Sequence, residues 1–477
     1  MLTHPVNEDS RLSLWRRVRE FAVPPSMIET ATARRRAGDW AGACAAAGID
    51  VDLNPRSVAR THGHDLAARI RADLRHLAPD LLRWHMPRIA PDGLLRPGLT
   101  LTLARYDSTG GDGAQPVHLV VRTPPAWADG GQRISLALWD GSGPETGAGR
   151  HPHPRPNRRF RLDLHRHLWD ARRTDELRVR AGADLPPTDD HFGHPRPPGL
   201  PGTVPPGHRC AVGRWAAEAE ILLRAEGRTT DGTGTGTGTV TVRLGAGRRL
   251  AVELVADRNG AGPPVLRIEP APTGGAAPSA LPVLPDAATW ISPDLELVRA
   301  GVIEADRLHP LVASALTADH EPAVPPRPPD PAGRPRLVDC RGARHRIGLV
   351  DGVLAALDHD PAETRREELL AALTGTPLPC FQVIDEAHRR PECLPDIRER
   401  LRHGDTTGAL AAVEDLLGPG ARLRDGALRD ELEAAALRRI TYGMFRAGLD
   451  GPGPGRVRPD RHRPRVARSR PRHATRD

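Results

Sequence analysis

The sequence predicts an α+β protein: N-terminal helices, a central antiparallel β-sheet or sandwich, a C-terminal helical domain and a disordered basic tail. Three observations carry this expectation. Apolar residues recur at helical spacing toward both ends, the middle alternates with period two, and little helical pattern separates the alternating runs. At 477 residues the chain exceeds one compact core, so several domains are expected.

Residues 1–95 read as an N-terminal helical region. Leu12, Leu14, Trp15, Val18 and Phe21 share a helical face until Pro24-Pro25 stops it. Leu66, Ile70, Leu74, Leu77, Leu81 and Leu82 repeat the pattern, ended by Pro87 and Pro91. Residues 96–272 read as the β-rich domain, with alternating runs at Leu99–Leu103, Val117–Val121, Ile134–Trp139, Phe160–Leu164, Ala219–Leu223, Val240–Leu244 and Leu250–Leu254. Gly/Pro/Asp-rich gaps between them favour antiparallel neighbours over β-α units. The Thr-Gly repeat Thr233–Thr239 reads as a flexible hairpin loop.

Helix returns within residues 273–318, over Ala287–Leu316, and a proline-rich linker covers 319–336. Residues 337–450 read as a short hairpin around Arg341-Gly342 followed by helices of about ten to twenty residues. The arginine- and proline-rich stretch 451–477 has almost nothing apolar to bury and reads as disordered.

One internal echo links the two helical regions. Gly38-Asp39-Trp40-Ala41-Gly42-Ala43-Cys44-Ala45-Ala46 matches Gly404-Asp405-Thr406-Thr407-Gly408-Ala409-Leu410-Ala411-Ala412 at six of nine positions. Glycine closes one helix in a left-handed cap and aspartate caps the next. The motif resembles the turn of helical-repeat hairpins such as tetratricopeptide units. Without the remaining repeat pattern it predicts two αα-hairpins, and thus packing or partner-binding surfaces.

Composition removes several chemistries. The chain has no lysine; all 68 basic side chains counted as Lys+Arg are arginine. Guanidinium does not deprotonate near neutral pH, so Schiff-base enzymes lack their amine. A phosphate loop ending in Gly-Lys-Ser/Thr and a kinase strand lysine are likewise missing. The formal net charge of +8 is concentrated at the end: residues 451–477 hold nine arginines against Asp460 and Asp477, which leaves the rest close to neutral.

Five scattered cysteines without a Cys-x-x-Cys pair suit reduced thiols in a cytoplasm. The N-terminus shows no signal-peptide core, and no apolar run approaches the roughly 20 residues that span a bilayer. A cytoplasmic protein without membrane contact is expected.

Four clusters are candidate sites. On a strand over Phe160–Leu168, Asp163, His165 and His167 would share one face, a geometry that converges imidazoles on a metal. A further ligand would come from His151, His153, His191, His194 or Cys210; the competing reading is a polar, solvent-facing strand side. Cys380, His388 and Cys393 lie close in sequence and suggest zinc, with Cys340 and His345 on the predicted hairpin as distant contributors. Val383-Ile384-Asp385-Glu386-Ala387-His388 resembles the Walker B element of DEAH-box helicases, but the lysine loop that would hold the phosphates is absent, so the acidic pair reads as a solvated helix face. His62-Gly63-His64-Asp65 departs from metallohydrolase spacing, and Asp65 fits the first turn of a helix instead.

The expectation that accommodates these features is a non-enzymatic interaction or scaffold protein of the bacterial cytoplasm. It acts through helical hairpins on a protein partner and needs no cofactor. The alternative is a metal-dependent enzyme using Asp163, His165 and His167. A third reading is a weak, sequence-independent nucleic-acid binder whose Arg456, Arg458, Arg461, Arg463, Arg465, Arg468, Arg470 and Arg472 neutralise phosphates.

Overall fold

The computed structural model describes residues 8–107, 115–141, 151–184, 210–228, 238–244, 248–255, 265–270, 281–316 and 336–449. The fold is α+β. Helix α1 (Glu8–Arg17) continues into a π-helical turn, Val18–Ala22, and buries Leu14, Trp15, Val18 and Phe21 as their spacing requires. Pro25 opens α2 (Pro25–Arg36), which pairs with α3 (Trp40–Ala46). The next elements are β1 (Ile49–Val51), α4 (Pro55–His62), α5 (His64–His76) and α6 (Pro79–His85). Asp65 lies in the first turn of α5.

A small ribbon, β2 (Arg88–Ile89) and β3 (Leu94–Leu95), leads to β4 (Thr100–Tyr106), β5 (Val117–Arg122) and β6 (Ile134–Trp139). The sheet order is β1-β6-β5-β4, antiparallel except that β1 runs parallel to β6. The first core packs α1, α5 and α6 against this sheet, and so joins residues on both sides of the boundary expected near 95.

Phe160–Leu168 is not the expected strand. Arg161 makes a single bridge to Thr102, and the chain then turns repeatedly: Leu164 N–H bonds to Arg161 O and His165 N–H to Leu162 O. Phe160 and Leu162 are buried, so the alternation was real, but successive three-residue turns produce it. Helix α7 (Leu177–Ala181) follows.

Ala219–Leu223 is also corrected. It belongs to α8 (Trp215–Ala225), whose buried Trp215, Ala219, Leu222 and Leu223 are spaced i, i+4, i+7 and i+8. This helix covers a separate antiparallel sheet of β7 (Gly238–Arg243), β8 (Arg249–Val255) and β9 (Val265–Pro270), forming a second core with α9 (Asp286–Thr289). Helices α10 (Pro293–Arg299) and α11 (Pro310–Leu316) return to the first core through Leu297, Leu308 and Val312. The Ala287–Leu316 helix is thus three short helices, restarted at Pro293 and Pro310.

The C-terminal module begins with β10 (Arg336–Cys340), β11 (Ala343–Val350) and β12 (Val353–Ala356), an antiparallel meander. Both turns are two-residue links with positive φ at each position: Arg341-Gly342 (53° and 81°) and Asp351-Gly352 (53° and 79°). That conformation matches the twist of the flanking strands. Helices α12 (Pro361–Thr374), α13 (Pro379–Arg389), α14 (Leu394–His403), α15 (Thr406–Leu417) and α16 (Ala427–Ala447) complete the module. Its core joins Ile347 and Leu354 of the meander to Ile384, Ile397, Leu401, Val413 and Leu417.

The sequence echo is a structural one. Gly38 (φ 79°) and Gly404 (φ 88°) close α2 and α14, while Asp39 and Asp405 accept the N–H of Gly42 and Gly408. Each aspartate also takes an arginine five residues earlier, Arg34 or Arg400. Arg83, buried in α6, joins the turn before α2 to the end of α14: its Nε, Nη1 and Nη2 donate to the carbonyls of Ala22, Gln132 and His403 at 2.9, 2.7 and 2.8 Å.

Among the described residues no helix is long and apolar enough to cross a membrane.

Candidate metal centre

The meander and two helices bring Cys340, His345, His359 and Cys380 together, with one ligand atom from each lying within 4.8 Å of all the others. Cys340 ends β10, and His345 lies on β11 opposite Val338. His359 precedes α12, whose first turn is capped by Asp360. Cys380 is the second residue of α13, at the helix end that favours a thiolate.

The donor chemistry fits zinc. His345 Nδ1 lies 2.7 Å from His359 Nε2 and 3.9 Å from Cys380 Sγ. Zinc bonds of about 2.3 Å to sulfur and about 2.0 Å to nitrogen separate tetrahedral donors by roughly 3.3–3.8 Å. Adjustments of about 0.6 Å between the two imidazoles, and of no more than about 1 Å elsewhere, therefore place all four on one ion. Both cysteines are fully buried and His359 nearly so. Burial and the neighbouring Cys340 push the Cys380 thiol up to about 11. A divalent cation reverses that preference by binding the thiolate.

Outer contacts orient the ligands. His359 Nδ1 faces Glu363 Oε2 at 3.6 Å, one helical turn on, within ion-pair reach but longer than a hydrogen bond. Arg341, in the first tight turn, pairs with Glu363 at 3.2 Å and also with Glu367, tying the meander to α12. Four protein ligands fill a tetrahedral shell, so an ion here is structural and has no open position for substrate.

Of the cysteine and histidine residues first associated with zinc, Cys340, His345 and Cys380 converge. His388 and Cys393 do not: His388 is buried where its Nδ1 accepts from Arg424 N–H at 3.4 Å, and Cys393 precedes α14. The fourth donor is His359, overlooked because it stands alone in a polar stretch. Asp385 and Glu386 lie on the exposed face of α13, where Asp385 pairs with Arg389 at 2.7 Å. The segment is helical, as the solvated-face reading expected, and not the strand that a Walker B element requires.

Asp163 and His165 are drawn to separate partners. Asp163 is gripped by Arg161, with Nε at 2.9 Å and Nη2 at 2.8 Å. His165 Nε2 faces Glu218 Oε2 at 3.1 Å, and Glu218, paired also with Arg180, is held down at about 2 despite its burial. The His165 and His167 ring centres are 5.8 Å apart, and burial holds His167 well below an ordinary imidazole. His151 bonds to Thr123 O, and Cys210 sits in the second core; His191 and His194 lie outside the described residues, as do all the tail arginines.

A second set of buried polar groups lies under α6, α10 and α11. His309 Nε2 meets Asp80 Oδ2 at 2.7 Å, and Trp84 Nε1 donates to Asp294 Oδ2 at 2.8 Å. The set is only partly satisfied, since Asp294 Oδ1 is buried without a hydrogen-bond partner among the described residues.

No family model, curated protein or solved structure matches the chain.

Proposed function

We propose that this protein is a zinc-stapled interaction protein: Cys340, His345, His359 and Cys380 bind one structural zinc ion, and the helices it orders serve as a contact surface for a protein partner. The convergence of these four side chains from three separate segments is the observation that carries the reading. The module's core is small, ten buried residues with no aromatic among them, and a metal supplies ordering energy that a small core lacks. Helix α12 adjoins the site, buries none of its side chains and leaves Leu369, Leu370 and Leu373 exposed at 64%, 49% and 85%. A partner presenting an apolar groove complements that face.

The cytoplasm of a bacterium suits this role, since all five cysteines are free thiols and a reducing compartment keeps the two ligands available. Accessory contact with nucleic acid falls to Arg456–Arg472. The enzyme alternative at Asp163, His165 and His167 has less support, because the aspartate is neutralised by Arg161 and His165 is committed to Glu218.

Capture with the full chain tests this. A partner retained in stoichiometric amount should be released by a zinc chelator and regained on adding zinc, and should be lost with Leu369→Asp/Leu373→Asp. Retention by the chelated protein and by that variant alike would contradict the proposal.

A further inference from the structure

A cavity of about 300 Å³ opens between the two echoing hairpins, bordered by α2, the Gly130-Gly131 turn, the α14–α15 junction and α16. Four arginines line it: Arg83, Arg133, Arg438 and Arg439. Asp405 is the one carboxylate among the lining residues, and it is engaged elsewhere. Its Oδ1 caps Gly408 N–H at 2.9 Å and its Oδ2 pairs with Arg400 at 2.9 Å.

The positive charge is not balanced from within. Arg83 donates only to carbonyls, which orient a guanidinium without neutralising it. Burial, with Arg133 nearby, pulls Arg83 down to about 10. Arg133 is held by Asp50, through Nε at 3.0 Å and Nη2 at 2.6 Å. Arg438 differs: its Nη2 is buried and has no hydrogen-bond partner among the described residues. Such a donor forfeits about 1–3 kcal/mol unless something accepts from it. Arg439, one residue on, is exposed at the mouth.

The opposite wall adds further donors. Thr406 and Thr407 open the twelve-residue α15, and first-turn N–H groups have no intrahelical acceptor. Their hydroxyls stand beside them. Guanidinium forks, hydroxyls and a helix N-terminus together match the oxygens of a phosphate.

We infer that this cavity binds a small phosphate-bearing molecule, its phosphate held between Arg438 and Arg439 on one side and the start of α15 on the other. The volume lies at the lower end for small-molecule sites, enough for a phosphate and a short polar remainder. Because α2 comes from the N-terminal body and α14–α16 from the C-terminal module, the ligand fastens the two together.

Calorimetric titration of the full chain in chloride buffer with glycerol 3-phosphate, inorganic phosphate and glycerol tests the inference. One saturable site is expected for the phosphates and none for glycerol, with affinity falling at least about tenfold in Arg438→Gln/Arg439→Gln. Tighter binding of the ester identifies an organic phosphate, and equal binding identifies the free ion; either supports the site. Circular dichroism shows whether the variant keeps its fold, and sulfate protection against thermal unfolding, present in the wild type and absent in the variant, gives a second readout. No saturable binding of either phosphate at about 10 mM, a range far above useful affinity, would overturn the inference. Equal affinity in wild type and variant would do the same.

Discussion

Arg346 and Asp358 are joined by backbone and side chain together: Asp358 Oδ2 accepts the Arg346 N–H at 2.7 Å, and Oδ1 accepts Nη2 at 2.7 Å. Each neighbours a proposed ligand, His345 and His359. The pair therefore sets the spacing of the two imidazoles before any ion arrives. Outer-shell contacts of this kind are worth roughly 10- to 100-fold in metal affinity. Asp358→Ala should weaken zinc binding within that range, measured by competition with a chromogenic chelator, while excess zinc restores wild-type circular dichroism. Unchanged affinity would show that the meander alone positions the site.

Metal removal should unfold one part and spare another. All eight tryptophans precede residue 336, and Trp127 alone among the described ring contacts touches the zinc module, edge-on to Phe445 of α16 at 5.3 Å, so their emission reports mainly the first two cores. A zinc chelator should lower far-ultraviolet helicity while leaving tryptophan emission near its native maximum. A parallel loss of both signals would mean that the module and the body unfold as one unit.

Much of the proposed zinc site was open to sequence reading, and its gap is instructive. Arg341-Gly342 and the alternation of Leu337–Val350 marked the first hairpin, which placed Cys340 and His345 side by side. Asp351-Gly352 is as strong a turn signal, and extending the hairpin into β12 would have carried the chain back to His359. Cys380 lies beyond a whole helix, and nothing local links it to the meander. Elsewhere β1 was missed because three residues carry no periodicity. Ala219–Leu223 was misread because five apolar-rich residues fit a strand or a helix face equally, and Trp215 four residues earlier decides between them. The glycine–aspartate echo was legible because a left-handed cap and an N-cap each demand a particular residue.

Arg83 should be among the least replaceable residues. Its removal leaves the carbonyls of Ala22, Gln132 and His403 without this donor, at about 1–3 kcal/mol each where no water enters. Arg83→Met is expected to lose at least about 3 kcal/mol in urea unfolding followed by tryptophan emission. Arg83→Lys should recover little, since one ammonium cannot span three divergent acceptors. A loss below about 1 kcal/mol would remove Arg83 from its bridging role.

His403 supplies a pH dependence. Burial and the nearby Arg88, Arg83, Arg17 and Arg402 depress its pKa from 6.5 to about 3. Below about 6.5 the unfolded chain takes up a proton that the folded chain refuses, so stability falls with pH through that window. Between pH 7 and 5.5 the wild type should lose about 1.3 kcal/mol more than His403→Leu, a difference that cancels contributions from other titrating groups. Identical pH profiles would place a charged imidazole in the folded state.

X-ray absorption at the zinc edge, on the full chain purified in reducing buffer with zinc, tests the central claim most directly. The account predicts one zinc per chain with two sulfur neighbours near about 2.3 Å and two nitrogen neighbours near about 2.0 Å, and loss of the sulfur shell in Cys340→Ser/Cys380→Ser. Substoichiometric zinc, or a shell of oxygen and nitrogen alone, would contradict it.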